Sequence, residues 1–252
     1  SNKNAKVAEL LIPQPLQTEV KSGSFNYETP SVYFTNVSDT DKNNLLELIK
    51  GIYPEATEAT EEDASGVIRI SQTNDSTLTP ESYRLNIARK SIDIEAIDFG
   101  GLIYAIQTVA QLHYLAEEGI PCMQITDTPR FAYRGMHLDV SRHFFSVEFI
   151  KKQLDVMSFY KMNRFHWHLT DGAGWRIEIK KYPRLTTFAA WRPYNNWKEF
   201  WFGERLYCDQ NDEKAKGGYY TQEEIKEVIA YAQKLNITII PEIEIPGHSD
   251  EV

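Results

Sequence analysis

Three short stretches of this chain gather residue types that grip hydroxyls, move protons or hold metals. Arg142 ends the run RGMHLDVSR, with His143 beside it. A guanidinium carries planar, fixed donors, so it can hold a pair of sugar hydroxyls or a carboxylate. A surface arginine paired with an acid has the same appearance in sequence. The second stretch is His166-Trp167-His168, followed by Asp171. Residues i and i+2 of a strand face one way, so the two imidazoles share a face. Two histidines and a carboxylate can ligate zinc. Equally, the histidines can be hydrogen-bonded wall residues and Asp171 a turn residue before Gly172 and Gly174. The third stretch is Pro241-Glu242-Ile243-Glu244-Ile245-Pro246-Gly247-His248. Glu242 and Glu244 share a face, and His248 follows a Pro-Gly exit. A carboxylate beside a histidine can tune a proton-transfer group. Acids in a strand covered on both faces are costly unless paired, so function explains them better than a solvated edge.

Each of these groups stands where a strand ends, and strand–helix–strand units must put it there. Residues 134–140 and 163–169 read as strands. Between them Ser146 is a good N-cap for a helix that buries Ile150, Leu154 and Met157. A loop rich in Trp, Tyr and Gly runs from about Pro183 to Tyr220. Its Trp191, Tyr194, Trp197 and Trp201, with Trp175 just before, offer faces for stacking on sugars or form a satellite core. Thr221-Gln222-Glu223-Glu224 is a capping box. Its helix buries Ile225, Val228, Ile229 and Ala232, and a strand over 237–243 follows. This alternation is that of a parallel α/β barrel or a doubly wound sheet. In a barrel the C-terminal strand ends carry the chemistry. No glycine-rich phosphate loop follows any of the strands, which argues against a nucleotide-binding sheet. Only 122 residues follow Arg130, whereas a closed eight-stranded barrel takes about 250 and rarely under about 200. Three strands fit, so the expectation is an incomplete barrel, the front part of a larger protein.

The first half reads as α+β. Val67 to Ser71 is strand-like, and Tyr83, Leu85 and Ile87 alternate with polar residues, as do Ile92, Ile94 and Ala96. Residues 88–91 make the hairpin turn between them. Leu102, Ala105, Ile106 and Val109 lie on one helical face, and a second helix covers Asp41 to Lys50. Antiparallel strands with helices on one face are the expected layering. A boundary falls near residues 124–131, where the polar stretch Thr126 to Arg130, with its central proline, suits a linker. We therefore expect an accessory domain over 1–128 and the barrel over 129–252. Of the 252 residues, 42% are hydrophobic, enough for a real core, and the net charge of -9 argues against a nucleic-acid partner. No apolar run approaches the roughly 20 residues of a membrane span. Cys122 and Cys208 are too few for a disulfide scaffold, and their pairing is open. The polar start SNKNAK lacks a signal-peptide core, as in a mature exported form or a cytosolic protein with a flexible start.

RGMHLDVSRHF (134–144), KMNRFHWHLTDGAGWRIEIKKYPRLT (161–186) and GGYYTQEEIKEVIAYAQKLNITIIPEIEIPGH (217–248), in that order, resemble the β-N-acetylhexosaminidases of glycoside hydrolase family 20. The first half resembles the α+β domain that often precedes this barrel, by element order and position. The resemblance implies a (β/α)8 TIM barrel and exo-acting removal of terminal β-linked N-acetylglucosamine or N-acetylgalactosamine. It implies retaining, substrate-assisted catalysis, an exception to the two-carboxylate pattern. The substrate's acetamido oxygen attacks the anomeric carbon, an aspartate polarises that group, and the adjacent glutamate protonates the leaving oxygen. No metal or other cofactor is implied; the partner is an N-acetylhexosamine-containing glycan, and export is expected. Arg142 matches the arginine that grips the sugar's 3- and 4-hydroxyls, and Asp171 an acid lining the sugar pocket. His248 matches a histidine linked to the general acid. Glu244 stands where many members have aspartate, and Glu242 and His168 take supporting positions behind the substrate contacts. The family's Asp-Glu pair follows a Gly-Gly and has no match here, because Asp212-Glu213 and Asp250-Glu251 stand elsewhere. That pair is expected beyond Val252. The competing readings are a metal-dependent barrel hydrolase using His166, His168 and Asp171, and a non-catalytic sugar-binding module.

Overall fold

A computed structural model describes residues 2–245 and 247–251. The chain divides into two compact units. One runs to Ala132 and takes in Ser158–Lys161; the other comprises Tyr133–Met157 and the residues from Met162 on.

The first unit contains α1 (Asn2–Ala8), β1 (Gln17–Phe25), β2 (Ser31–Thr35), α2 (Asp39–Lys50), β3 (Thr57–Glu58), β4 (Val67–Gln72), β5 (Tyr83–Ile87), β6 (Ser91–Ala96), α3 (Phe99–Leu115) and β7 (Ile120–Asp127). Its strands form one sheet in the order β1-β7-β5-β6-β4-β2-β3. The sheet is mixed, which corrects the expectation of antiparallel strands. β2 pairs in parallel with β3 and β4, and β4 with β6, while β5 and β7 make the antiparallel pairs. The helix α2 lies between β2 and β4 in the chain, and a helical crossover of that kind brings the chain back in the same direction. A second correction falls on the linker read over Thr126 to Arg130. Its first two residues belong to β7, where Thr126 pairs with both β1 and β5. Ile120, Pro121, Cys122 and Met123 are all buried, so this central strand lacks the alternation that marks half-buried ones.

The core of this unit gathers Phe25, Leu45, Ile49, Ile70, Leu85, Ile94, Leu102 and Ile106. The helix α3 buries Leu102, Ala105, Ile106 and Val109, as their spacing predicts. Asp98 caps it, accepting from the Gly101 N–H at 2.9 Å and from the Glu81 N–H at 2.9 Å. A Cβ at Gly101 would lie 2.2 Å from the Ser82 carbonyl oxygen, so only glycine lets the helix start here.

The second unit contains β8 (Gly135–Asp139), α4 (Val147–Phe159), β9 (Arg164–His168), β10 (Thr170–Asp171), β11 (Gly174–Trp175), α5 (Arg184–Thr187), β12 (Trp191–Arg192), α6 (Trp197–Phe202), β13 (Lys216–Gly217), α7 (Gln222–Gln233) and β14 (Thr238–Glu242). Its main sheet is parallel, in the order β14-β9-β8. Ser146 Oγ accepts from the Phe149 N–H at 3.2 Å at the head of α4, and Ile150, Leu154 and Met157 are buried. Thr221 and Glu224 form the reciprocal capping box of α7. Along α7, Val228 and Ala232 are buried, but Ile229 is 37% exposed, against the expected burial of all four apolar residues. Ile225 and Ile229 instead border a cavity of about 270 Å³ with Trp167, Leu169, Ile239 and Ile243. Cys122 and Cys208 are both buried and free. Among the described residues no helix is long and apolar enough to cross a membrane.

Candidate functional site

The register of the parallel sheet decides which side chains meet. His137 on β8 pairs with His166 on β9. His168 on β9 pairs with Asp139 on one side and Glu242 on the other. Register partners and i, i+2 neighbours share a face, so three histidines and two carboxylates line one face of three adjacent strands. Phe165 and Trp167 are buried on the opposite face.

Where β8 ends, Asp139 Oδ1 accepts from the Ser141 N–H at 2.9 Å and the Arg142 N–H at 3.2 Å. The Arg142 Nη1 also donates to Asp139 Oδ2, and its Nη2 lies 3.3 Å from Asp171 Oδ2. Its guanidinium sits 5.3 Å from the centre of the Trp197 ring. Burial alone would raise the Asp139 carboxyl, but the hydrogen bonds and charge of Arg142 outweigh it and hold its pKa below the ordinary value. Asp171 is only 5% exposed. Its Oδ1 accepts from the Gly172 N–H at 2.6 Å and lies 3.3 Å from His248 Nδ1. Its Oδ2 lies 3.2 Å from His168 Nε2, an ion-pair separation without hydrogen-bond alignment.

On its other edge His168 places Nδ1 2.8 Å from Glu242 Oε2, and the same oxygen lies 3.0 Å from His166 Nε2. His137 Nε2 lies 3.3 Å from His168 Nδ1. Burial, then the neighbouring His166 and His168, lower the His137 pKa. Burial raises the Glu242 carboxyl, but a hydrogen bond to Glu244 and the facing His168 and His166 bring it below its ordinary value. The strand ends at Glu242, so Glu244 stands beyond it, where its N–H donates to Thr170 Oγ1 at 2.8 Å. Pro246 lies outside the described residues.

Arg142, Asp171, His168, Glu242 and His248 thus converge. The proposed metal set of His166, His168 and Asp171 does not share one point, because Asp171 meets the Nε2 edge of the His168 ring while His166 meets the carboxylate on the Nδ1 edge. Among the described residues, the ligand-type atoms that do lie together, all within 4.8 Å of one another, belong to His137, His168 and Glu242. Sequence reasoning passed over His137 and Asp139, although their i, i+2 spacing in RGMHLDV carries the same signal as His166 and His168.

It also passed over two buried arginines. The Arg176 guanidinium is fully enclosed. Its Nε donates to the Val140 carbonyl at 2.9 Å and its Nη2 to the Ser141 carbonyl at 2.8 Å. Its Nη1 donates to Ala190 at 2.6 Å and Gly218 at 2.9 Å. Burial pulls its pKa down to about 9. Arg192 donates to the Ala173 carbonyl at 3.2 Å and to the Arg142 carbonyl. Together they hold the three backbone carbonyls at positions 140–142, the segment that presents the Arg142 side chain. Gly217 has φ +150°, and a Cβ there would lie 2.1 Å from the Ala190 carbonyl oxygen. The aromatic loop is therefore ordered rather than loose. Trp175 is buried and its Nε1 donates to the Ile177 carbonyl at 2.6 Å. Trp197 stacks on Phe200, and Trp201 is 44% exposed. Glu251 is buried, and its carboxyl oxygens find no hydrogen-bond partner among the described residues. Burial, reinforced by Asp171 and Asp250, raises its pKa to about 8. It borders a cavity of about 740 Å³ with Trp175, Tyr182 and Phe188.

Known proteins share this architecture. "Glycosyl hydrolase family 20, catalytic domain" matches residues 131–252, and "Glycosyl hydrolase family 20, domain 2" matches residues 9–128. The beta-hexosaminidase of Vibrio furnissii is 46% identical over 69% of this chain and 28% of its own length. That of Vibrio vulnificus is 36% identical over 96% of this chain and 28% of its own length. The solved exo beta-N-acetylglucosaminidase of Vibrio harveyi, in complex with N-acetylglucosamine, superposes with a TM-score of 0.79 at 37% identity, over 97% of this chain and 37% of that one. The beta-N-acetylhexosaminidase of Bacteroides fragilis gives a TM-score of 0.78 at 35% identity, over 96% of this chain and 46% of that one. The chain thus spans between a quarter and a half of the length of these relatives. Its α+β unit and the β/α unit after it have the fold of these enzymes, and with two descriptions of one family side by side along its length, the chain belongs to glycosyl hydrolase family 20.

Proposed function

We propose that the protein containing this chain is an exo-acting β-N-acetylhexosaminidase. It removes terminal β-linked N-acetylglucosamine or N-acetylgalactosamine with retention, the substrate's acetamido group acting as the nucleophile. The observation that carries this reading is the fixing of Arg142. Its guanidinium is held between Asp139 and Asp171 where β8 ends, on the side of a β/α fold that hosts chemistry. Fixed, planar donors suit two neighbouring sugar hydroxyls, and Asp171 supplies an acceptor beside them. In this reading Arg142 grips the 3- and 4-hydroxyls and Asp171 lines the sugar pocket. His248, on Asp171, links that pocket to the general acid, and Glu242, Glu244 and His168 support the wall. No residue of this chain is assigned the acid or the acetamido-polarising aspartate. β8, β9 and β14 are the first three strands of a (β/α)8 barrel that begins near residue 129. Their parallel order, their polar face and the apolar trough beside α7 support that assignment. The Vibrio harveyi neighbour, described with bound N-acetylglucosamine, supports the sugar class.

The test is release of p-nitrophenol from its β-N-acetylglucosaminide and β-N-acetylgalactosaminide, with protein made through the gene's natural stop codon. Turnover of either substrate is expected, and Arg142→Ala should reduce kcat/KM about a hundredfold or more, since it removes charge-assisted contacts worth several kcal/mol. Absence of turnover on both substrates rejects the activity; unchanged kinetics in Arg142→Ala rejects the role of that residue.

A further inference from the structure

We propose that His137, His168 and Glu242, with His166 beside them, form a binding site for a divalent transition-metal ion of the zinc class. Several ligand-type atoms crowd one point of the sheet face. His168 turns Nε2 toward Asp171 Oδ2 at 3.2 Å. Its other ring nitrogen, Nδ1, faces Glu242 Oε2 at 2.8 Å and His137 Nε2 at 3.3 Å. His166 Nε2 approaches the same Glu242 oxygen at 3.0 Å. A cation placed among the His137, His168 and Glu242 atoms would be held by all three.

The spacing suits one particular kind of cation. A tetrahedral ion with ligand bonds of about 2.0–2.2 Å sets its ligand atoms about 3.3–3.5 Å apart. The three separations here are 3.3 Å, 2.8 Å and 4.0 Å, which bracket that edge length. Imidazole with a carboxylate and no sulfur suits zinc, cobalt, nickel or copper; calcium and magnesium prefer all-oxygen shells. The Asp171 carboxylate lies 3.2 Å from the far nitrogen of His168, on the side where metal-bound histidines usually have an outer carboxylate. The donors stand on three adjacent strands, with His168 and Glu242 register partners. Strand spacing of about 4.8 Å, rather than a flexible loop, therefore fixes their separation. The inference uses nothing of the glycosidase assignment.

The experiment uses the full-length protein, stripped with a chelator and titrated with Co²⁺ as a spectroscopic probe and with Zn²⁺ by calorimetry. One ion per chain is expected, with the intense visible bands of four-coordinate cobalt. His137→Ala and Glu242→Gln should each weaken binding by roughly tenfold or more, while His143→Ala, outside the cluster, should leave it unchanged. Circular dichroism of each variant, matched to the parent, separates a lost ligand from a lost fold, and His137→Gln replaces any alanine variant that does not fold. Absence of cobalt bands, or bands indifferent to both His137 and Glu242 variants, overturns the site. The readout is metal binding, so its failure is distinct from failure of hexosaminidase turnover.

Discussion

Arg176→Met tests whether the backbone under Arg142 is held from within. The wild-type guanidinium makes four hydrogen bonds to the carbonyls of Val140, Ser141, Ala190 and Gly218. Bonds from a charged donor contribute about 1.5–3 kcal/mol each, so four give on the order of 8 kcal/mol. Against this stands the burial of the charge, which pulls the pKa of Arg176 down to about 9. At about 1.4 kcal/mol per tenfold change in proton affinity, that burial costs about 5 kcal/mol. Methionine removes both, and the difference, about 3 kcal/mol, is the expected loss of stability. For a domain of this size it lowers Tm by about 6–12 °C in differential scanning calorimetry. Arg176→Lys should do no better, because it keeps the buried charge and loses the fork. In the full-length protein both variants should also lower kcat/KM, through Arg142. A Tm for Arg176→Met within about 2 °C of the parent would refute the reasoning, since the four carbonyls would then not depend on this side chain.

Three further outcomes are expected. Gly101→Ala places a Cβ 2.2 Å from the Ser82 carbonyl oxygen, so it should cost more than about 2 kcal/mol in urea unfolding; a neutral effect would mean that the α3 start is mobile. Thr221→Ala removes one half of the α7 capping box and should cost about 1 kcal/mol, with Thr221→Ser recovering most of it; equal midpoints for both variants would reject the cap. Glu251, raised to about 8 by burial, keeps its proton in the folded chain while the unfolded chain has lost it. Folded protein then binds more protons between about pH 4.5 and pH 8, so its contribution to stability falls as pH rises through that window and is gone above it. Glu251→Gln should flatten that dependence in denaturant titrations, and an unaltered slope would show that this carboxyl is ordinary.

Much of this was legible along the chain because it is local. Alternation placed β5 and β6, helical spacing placed α3 and α4, and the capping box placed α7. The face shared by His166 and His168 followed from strand geometry alone. What escaped the sequence depends on partners distant in it. β7 is covered on both faces, so its residues show no alternation, and its polar end reads as linker. The pairing of His137 with His166 and of Glu242 with His168 depends on strand order and register, which no single segment encodes. Arg176 reads as a surface charge between apolar neighbours until its four carbonyl partners, up to 42 residues away, are in place.

That last case explains why a loop with little sequence periodicity governs the site. The chain leaving β8 turns inward at residues 140–142, and the Ser141 and Arg142 carbonyls are beyond the paired strand. Buried carbonyls need donors. Arg176 and Arg192 supply them, and each also binds carbonyls of the segment from Ala173 to Gly218. Order in that segment and order at Arg142 are therefore one property: a change that loosens Ala190 or Gly218 withdraws support from Arg142 without touching it. Mutations across the aromatic loop should consequently affect sugar affinity in proportion to how far they disturb these two guanidinium groups, rather than to their own distance from the strand ends.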